Sequence, residues 1–242
     1  KYGQPRKSML IYADEIQVAD DEDDTPDYPV SVFFTKEGYF KKITPQSLRM
    51  NSEQKLKEGD SVIFSAETTN NGTDLIFFTD KAQAYKTKVS DFKELKASAL
   101  GDYVPAKLGM AEDEKAVFMV LTKDYSGTMI FAFENGKIAK VPLSAYETKT
   151  NRKKLTGAYS DKSPLVDIIY LQKDCEVVLT SSQGKVLLFH TGAISEKSSR
   201  ATIGVNVLTV KKGHRLISAK IYQEGSLVKP NRYRTKNLPA AG

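Results

Sequence analysis

With 242 residues, 40% of them hydrophobic, the chain has apolar material for one large domain or two small ones. Nothing in it approaches 18 consecutive apolar residues, so a membrane-spanning helix is not expected, and the lone Cys175 cannot close an internal disulfide, which agrees with a cytoplasmic location. The net charge of +6 is unevenly spread: residues 1–29 carry three basic and eight acidic side chains, residues 30–150 carry 17 and 16, and residues 151–242 carry 16 and six. Such segregation points to a polyanionic partner, with a merely solvated basic surface as the alternative.

Taken in chain order, residues 1–29 read as a connector. They hold a strand-like "MLIYADEI" and then "ADDEDDTPDYP", a run too charged and turn-rich for a core. Beginning at Lys1, the sequence is expected to be a piece of a longer chain. From residue 31 a pattern sets in: "SVFFTKEGYFKKITPQSL" combines an apolar strand, a turn, a strand bearing lysine, a hydroxyl residue and an apolar one. It returns as "LIFFTDKAQAYKTKVSDF", "IFAFENGKIAKVPLSAY" and "VVLTSSQGKVLLFHTGAI". The turns at Gly38, Ala82, Gly136 and Gly184 lie 44, 54 and 48 residues apart, a period typical of propeller-like repeats of small antiparallel sheets.

Between these copies, "SVIFSAETTNNGTDLIFF" reads as two strands joined through Asn71-Gly72, the strongest short hairpin cue. "AVFMVLTKDYSGTMIFAF" and "VDIIYLQKDCEVVLTSS" share the plan, while "SDFKELKASA" offers one or two helical turns at most. The expectation is therefore an all-β wheel over residues 30–222, with about four to five blades. Residues 223–242 read as a basic, flexible tail, and "IYQEGSLVKPNRYR" faintly echoes the repeat as a partial fifth unit.

Strand alternation gives the lysines a reading. If one side of "GYFKKI" faces a core and the other water, a lysine in each blade lands on the same outer surface. Lys42, Lys86 and Lys140 match in register, and the fourth copy departs with Leu188. Single lysines of this kind also serve as edge charges against aggregation. A band of them around a wheel favours phosphate binding.

At this point "VFFTKEGYFKKITPQSL" resembles the blade motif in the C-terminal domain of type IIA DNA topoisomerase A subunits, the family that comprises the A subunits of DNA gyrase and of topoisomerase IV (ParC). "SEKSSRATIGVNVLTVKKGHRLISAKIY" is similar to that family's loop of Arg, three residues and Gly-Val, then a strand and a Lys-x-Gly turn, at Arg200, Gly204, Val205, Lys211 and Gly213. "KYGQPRKSML" looks like the segment leading out of the family's catalytic core. The resemblance implies a β-pinwheel whose cationic rim bends duplex DNA, reading backbone and not bases. It further implies a cytoplasmic, nucleoid-associated parent enzyme whose partners are a catalytic core and a separate B subunit, and whose cofactors are ATP and Mg2+, none of them in this fragment. The rim residues expected to touch DNA are Lys41, Lys42, Lys86, Lys88, Lys140, Arg152, Lys153, Lys154, Lys185, Lys197 and Arg200. Where gyrase carries a Gln-Arg-Arg-Gly-Gly-Lys-Gly box, this chain has "RMNSEQKLKEGDSVIFSA". That departure favours topoisomerase IV, which relaxes and decatenates, over a gyrase with a degenerate box.

Catalytic signatures are scarce. Phosphate loops, Gly-x-Gly-x-x-Gly and His-Glu-x-x-His are all missing, and His190 and His214 are the only histidines. Arg232-Tyr233 has the residue pair of a topoisomerase cleavage site, but in the family that pair lies upstream, inside a different fold. The fragment is expected to bind DNA and catalyse nothing alone. The competing readings are a protein-interaction propeller and, less favoured, a propeller enzyme.

Overall fold

The computed structural model describes residues 25–148 and 153–242. The strand-like "MLIYADEI" and the acidic run expected before residue 25 lie outside the described residues, as does Arg152. Four units follow one another. The first comprises β1 (Pro29–Thr35), β2 (Tyr39–Ile43), the short helix α1 (Pro45–Met50) and β3 (Val62–Thr69). The second holds β4 (Asp74–Thr79), β5 (Gln83–Lys88), a 3-10 turn, β6 (Asp102–Tyr103), α2 (Val104–Leu108) and β7 (Ala116–Thr122). The third holds β8 (Thr128–Phe133), β9 (Lys137–Pro142), a 3-10 turn, β10 (Lys154–Thr156) and β11 (Leu165–Leu171). The fourth holds β12 (Glu176–Ser181), β13 (Val186–His190), a 3-10 turn, β14 (Val205–Asn206) and β15 (Leu216–Ile221), and the chain ends through α3 (Pro230–Tyr233) and β16 (Arg234–Thr235).

The chain is all-β in class, and its strands form four sheets of four, in the orders β3-β1-β2-β6, β10-β5-β4-β7, β11-β8-β9-β14 and β15-β12-β13-β16. Each sheet is one blade, built from a unit's hairpin and its own inner strand. The outer edge of blades 1, 2 and 3 comes from the following unit, as β6, β10 and β14. A bare sheet edge is a hazard, and here each of these three is covered by the unit that follows. The inner strands β3, β7, β11 and β15 converge on one cavity of about 1020 Å³, lined by Phe64, Phe118, Ile168 and Lys220 among others. In each inner strand the register slips at the same place, leaving Ile63, Val117, Val166 and Ile217 as the extra residues of four equivalent bulges. Bulges bend a strand and raise its twist, which suits strands gathered around an axis.

The blades are glued by three apolar cores in series. Phe34, Phe40, Phe77 and Phe92 fill the boundary of blades 1 and 2. Phe78, Phe131, Tyr146 and Tyr159 fill that of blades 2 and 3, where Phe78 meets Phe131 and Tyr146 at ring centroids 5.7 and 5.1 Å apart. Ile138, Val177, Leu179 and Phe189 fill that of blades 3 and 4. Among the described residues no buried apolar cluster joins blade 4 to blade 1.

Two expectations need correction. The segment through Asn71-Gly72 is no hairpin: β3 pairs with β1 in blade 1, while β4 pairs with β5 and β7 in blade 2. The same holds for β7 to β8 and β11 to β12, so these turns carry the chain between blades. Turn chemistry reports a reversal of direction and not which strands pair. Secondly, the tail expected to be flexible lies along blade 4, where β16 pairs with β13 in parallel and the Arg234 guanidinium binds both oxygens of Glu176 at 2.5 and 2.8 Å.

The four hairpin turns end in a left-handed residue, at Gly38, Ala82, Gly136 and Gly184. Blade 2 shows that alanine is tolerated there. At Gly136, however, a Cβ would lie 2.1 Å from the carbonyl oxygen of Leu208, whereas at Gly184 it would meet nothing within 4 Å. Gly184→Ala should therefore cost about 1–2 kcal/mol, the ordinary penalty of the left-handed conformation. Gly136→Ala should cost clearly more, because the backbone at Leu208, just after β14, must move; equal losses in chemical denaturation would contradict the geometry.

Candidate nucleic-acid interface

The repeated strand lysines do not face water. Lys41 and Lys42 are 1% and 3% exposed, and Lys140 is 5% exposed. Alternation misleads here because a blade is covered on both faces, by neighbouring blades or by the segments crossing between them. The Lys41 Nζ donates to the carbonyls of Lys55 at 2.7 Å and Ala97 at 3.2 Å and to Gln54 Oε1 at 3.2 Å, using all three of its protons. Burial pulls its ammonium below the ordinary lysine value, and it does the same at Lys42 and Lys86.

The lysines in register share one task. Lys42, Lys86, Lys140 and Leu188 stand opposite Val32, Ile76, Ile130 and Val178 on their hairpin partners, which fixes their equivalence. Lys42 Nζ reaches Asn70 Oδ1 at 2.7 Å, in the turn leading to blade 2. Lys86 Nζ lies 4.8 Å from the ring centre of Tyr125, in the turn leading to blade 3, and donates to Thr148 Oγ1 at 3.1 Å. Lys140 Nζ reaches Asp174 Oδ1 at 2.7 Å, in the turn leading to blade 4. Each of these lysines, Lys42 and Lys140 buried and Lys86 half-buried, thus pins the crossing into the next blade. Blade 4 has no such crossing to hold, and its equivalent position is the fully buried Leu188.

Exposed cations lie on the linkers that run from each hairpin to the edge of the preceding blade. The linkers dock on the same spots: Leu95 N donates to Lys42 O at 2.8 Å, Lys86 N to Lys153 O at 2.6 Å, and Lys197 N to Lys140 O at 2.9 Å. Lys93 and Lys96 therefore stand on blade 1, Lys153 and Lys154 on blade 2, and Lys197 and Arg200 on blade 3. All are exposed except Arg200, which is half-buried, donates to Ala145 O at 3.1 Å and lies 6.0 Å from the Tyr146 ring. Lys154 lies 5.3 Å from the Tyr85 ring. Three of the carboxylates in these linkers are engaged by neighbouring groups: Glu94 accepts from the Tyr28 hydroxyl, Asp91 from Thr87 at 2.7 Å, and Glu196 from Thr128 at 2.9 Å, while Glu147 is exposed. Of the remaining expected residues, Lys88 is exposed at the end of β5, and Lys185 is half-buried with its Nζ on the carbonyl of Ala241 at 3.2 Å.

Sequence reading misses Lys93 and Lys96, because "FKELK" reads as a short helical turn and the linkers differ in length. Their signal is position: they follow the same strand and hydroxyl–apolar step as "NRKKL" and "SEKSSR". His190 has a local role, with Nδ1 accepting from Gly192 N at 3.2 Å. Among the described residues no helix is long and apolar enough to cross a membrane, and no three His, Cys, Asp or Glu side chains are grouped to hold a metal.

Comparisons agree with this architecture. The family described as "DNA gyrase C-terminal domain, beta-propeller" matches residues 73–101, a hairpin with the linker that follows, and residues 176–223, the whole fourth unit. The DNA topoisomerase 4 A subunit of Staphylococcus aureus is 25% identical over 217 residues, covering 87% of this chain and 27% of that protein; the Staphylococcus epidermidis protein is 26% identical over 202 residues, covering 81% and 25%. The chain thus spans about a quarter of the length of these relatives. In fold it is similar to the crystal structure of the C-terminal domain of DNA topoisomerase IV, with a TM-score of 0.73 over 82% of this chain and 62% of that one, at 23% identity. It is also similar to the E. coli ParC C-terminal domain, with a TM-score of 0.62 over 80% and 79%, at 11% identity.

Removing a buried anchor and removing a linker charge should have opposite signatures. Lys140→Met should lower stability by about 1–3 kcal/mol, as expected when a buried hydrogen-bonding group loses its partners. Lys153→Gln, on the surface, should stay within about 0.5 kcal/mol of the parent in thermal denaturation. Hydrogen bonds from Lys140 and Thr191 hold the Asp174 carboxyl below the usual aspartate range. Its contribution is therefore present above the unfolded value, near pH 4, and is lost as pH falls through the folded one. Asp174→Asn should flatten the acid limb of the stability curve below about pH 4; an unchanged limb would show that the carboxylate contributes nothing.

Proposed function

We propose that this chain, a β-pinwheel similar to the C-terminal domains of type IIA topoisomerase A subunits, binds and bends duplex DNA without reading its sequence. The supporting observation is the recurrence of exposed cations on linkers that dock at equivalent backbone positions on successive blades, while the linker carboxylates Asp91, Glu94 and Glu196 are engaged by neighbouring hydroxyls. Phosphate contacts of this kind position a duplex without specifying bases. Bending a site of 20–30 base pairs costs about 1–6 kcal/mol, which a set of neutralised phosphates can offset. The DNA-contacting residues in this reading are Lys93, Lys96, Lys153, Lys154, Lys197 and Arg200, with Lys88 and Lys185 beside them. Lys41, Lys42, Lys86 and Lys140 act as structural anchors.

In the same reading the parent is an ATP-dependent, Mg2+-requiring topoisomerase IV, and this domain presents DNA to a catalytic core assembled with a B subunit. Likeness to topoisomerase 4 A subunits supports that choice, as does the first linker, "NSEQKLKEGD", which has no Arg- and Gly-rich box. A gyrase parent is the second reading, favoured by the description of the matched family. Relaxed circles bound by the fragment separate the two through the sign and size of the linking-number change after ligation.

The DNA reading itself is tested by titrating duplexes of increasing length at several salt concentrations. Affinity should fall with salt at a slope of about −0.9 per phosphate contacted, and should rise for duplexes beyond about 20 base pairs. Replacing Lys153, Lys154 and Arg200 by Glu should weaken binding at least tenfold at about 0.1 M salt while circular dichroism is unchanged. Salt-independent binding, or a charge-reversed variant as tight as the parent, would leave the protein-interaction propeller as the better reading.

A further inference from the structure

The C-terminal segment repeats on blade 4 what the linkers do on blades 1 to 3. On blade 1, Lys42 bridges in parallel to Glu94 of the second unit's linker. On blade 4, the equivalent Leu188 pairs in parallel with Arg234, and Phe189 with Thr235. The return path matches too. A Cβ at Gly101 would lie 2.8 Å from Phe40 O, at Gly204 it would lie 2.3 Å from Ile138 O, and at Gly242 it would lie 3.3 Å from Val186 O. Phe40, Ile138 and Val186 are equivalent residues, opposite Phe34, Ala132 and Thr180 of their hairpins. The segment is thus the linker and edge of a fifth unit whose hairpin is missing.

This matters for charge. Among the described residues no hairpin follows blade 4 with a linker to lay across it. The C-terminal segment brings Lys229, Arg232, Arg234 and Lys236, all exposed. Arg234 is occupied by Glu176 and fastens the segment to β12. Lys236 follows the parallel pair by two residues, as Lys96 follows Glu94 on blade 1.

We propose that Arg232 and Lys236 form a phosphate-binding site for duplex DNA on the fourth blade, continuing the series of linker cations past the last complete unit. The site rests on the DNA reading above. Its occupant is chosen by charge and by continuity with that series. The Arg234–Glu176 pair positions it and leaves the two neighbouring cations to the solvent.

The test compares three versions of the 242-residue chain: the parent, Arg232→Gln with Lys236→Gln, and Lys115→Gln with Lys162→Gln. The last pair removes the same charge from exposed lysines in the loops entering β7 and β11. Binding of a 40-base-pair duplex is measured against salt. The Arg232/Lys236 variant should lose close to two contacts, reducing the slope by about 1.8, while the Lys115/Lys162 variant keeps the parent's slope. A parent that binds with salt dependence, beside an Arg232/Lys236 variant of unchanged slope or two variants reduced alike, overturns this site and leaves the DNA reading standing. A parent with no salt-dependent binding overturns both.

Discussion

The architecture depends on an exchange of strands. A four-stranded sheet standing alone presents two bare edges, and this chain resolves the outer one by building each blade from two successive units. The hairpin forms the middle of a sheet, and the next unit's chain passes over the boundary to close it before returning as its own inner strand. Every other regularity follows from that crossing: the linker must dock on the preceding blade, the turn into the next blade must be held, and both faces of each sheet become covered.

Burial of the strand lysines is a direct consequence. In an open sheet with one wet face, Lys42 or Lys140 would stand in water. Between blades it is enclosed, and its ammonium group is tolerated because the Asn70 amide oxygen or the Asp174 carboxylate of the crossing turn meets it. Replacement by Leu188 in the last blade supports this account, since the hydrophobe sits where there is no crossing to bind. The cations left in water are those of the linkers, and their recurrence there is a by-product of repeating the same crossing. A track of positive charge around the rim then needs no separate scaffold.

Much of this was legible in the sequence, and the limits are instructive. The period, the turn glycines and the shared lysine position identified four units and their β character, because hairpins are local and leave local signals. Partners of the inner strands were not legible. Asn71-Gly72 marks a sharp turn whether the chain folds back on itself or steps to another sheet, and only long-range pairing decides. The wet or dry state of the lysines was hidden for the same reason: alternation fixes sides of a strand and not what covers them. Lys93 and Lys96 escaped because linkers of unequal length carry no fixed spacing, whereas Arg200 was visible through its distance from Gly204. The docked C-terminal segment echoed the repeat too faintly to show which part of a unit it retained.

Strand exchange also imposes an order on synthesis. As the chain leaves the ribosome, each hairpin can pair with its inner strand well before the residues that close its outer side have been made. The newest blade is therefore always incomplete, its rim available to any extended chain nearby, until the next stretch of polypeptide arrives. For blade 4 the wait ends only when Arg234 and Thr235 have been made and laid beside β13, so a nascent chain halted before them would carry one raw margin that the folded blade does not display.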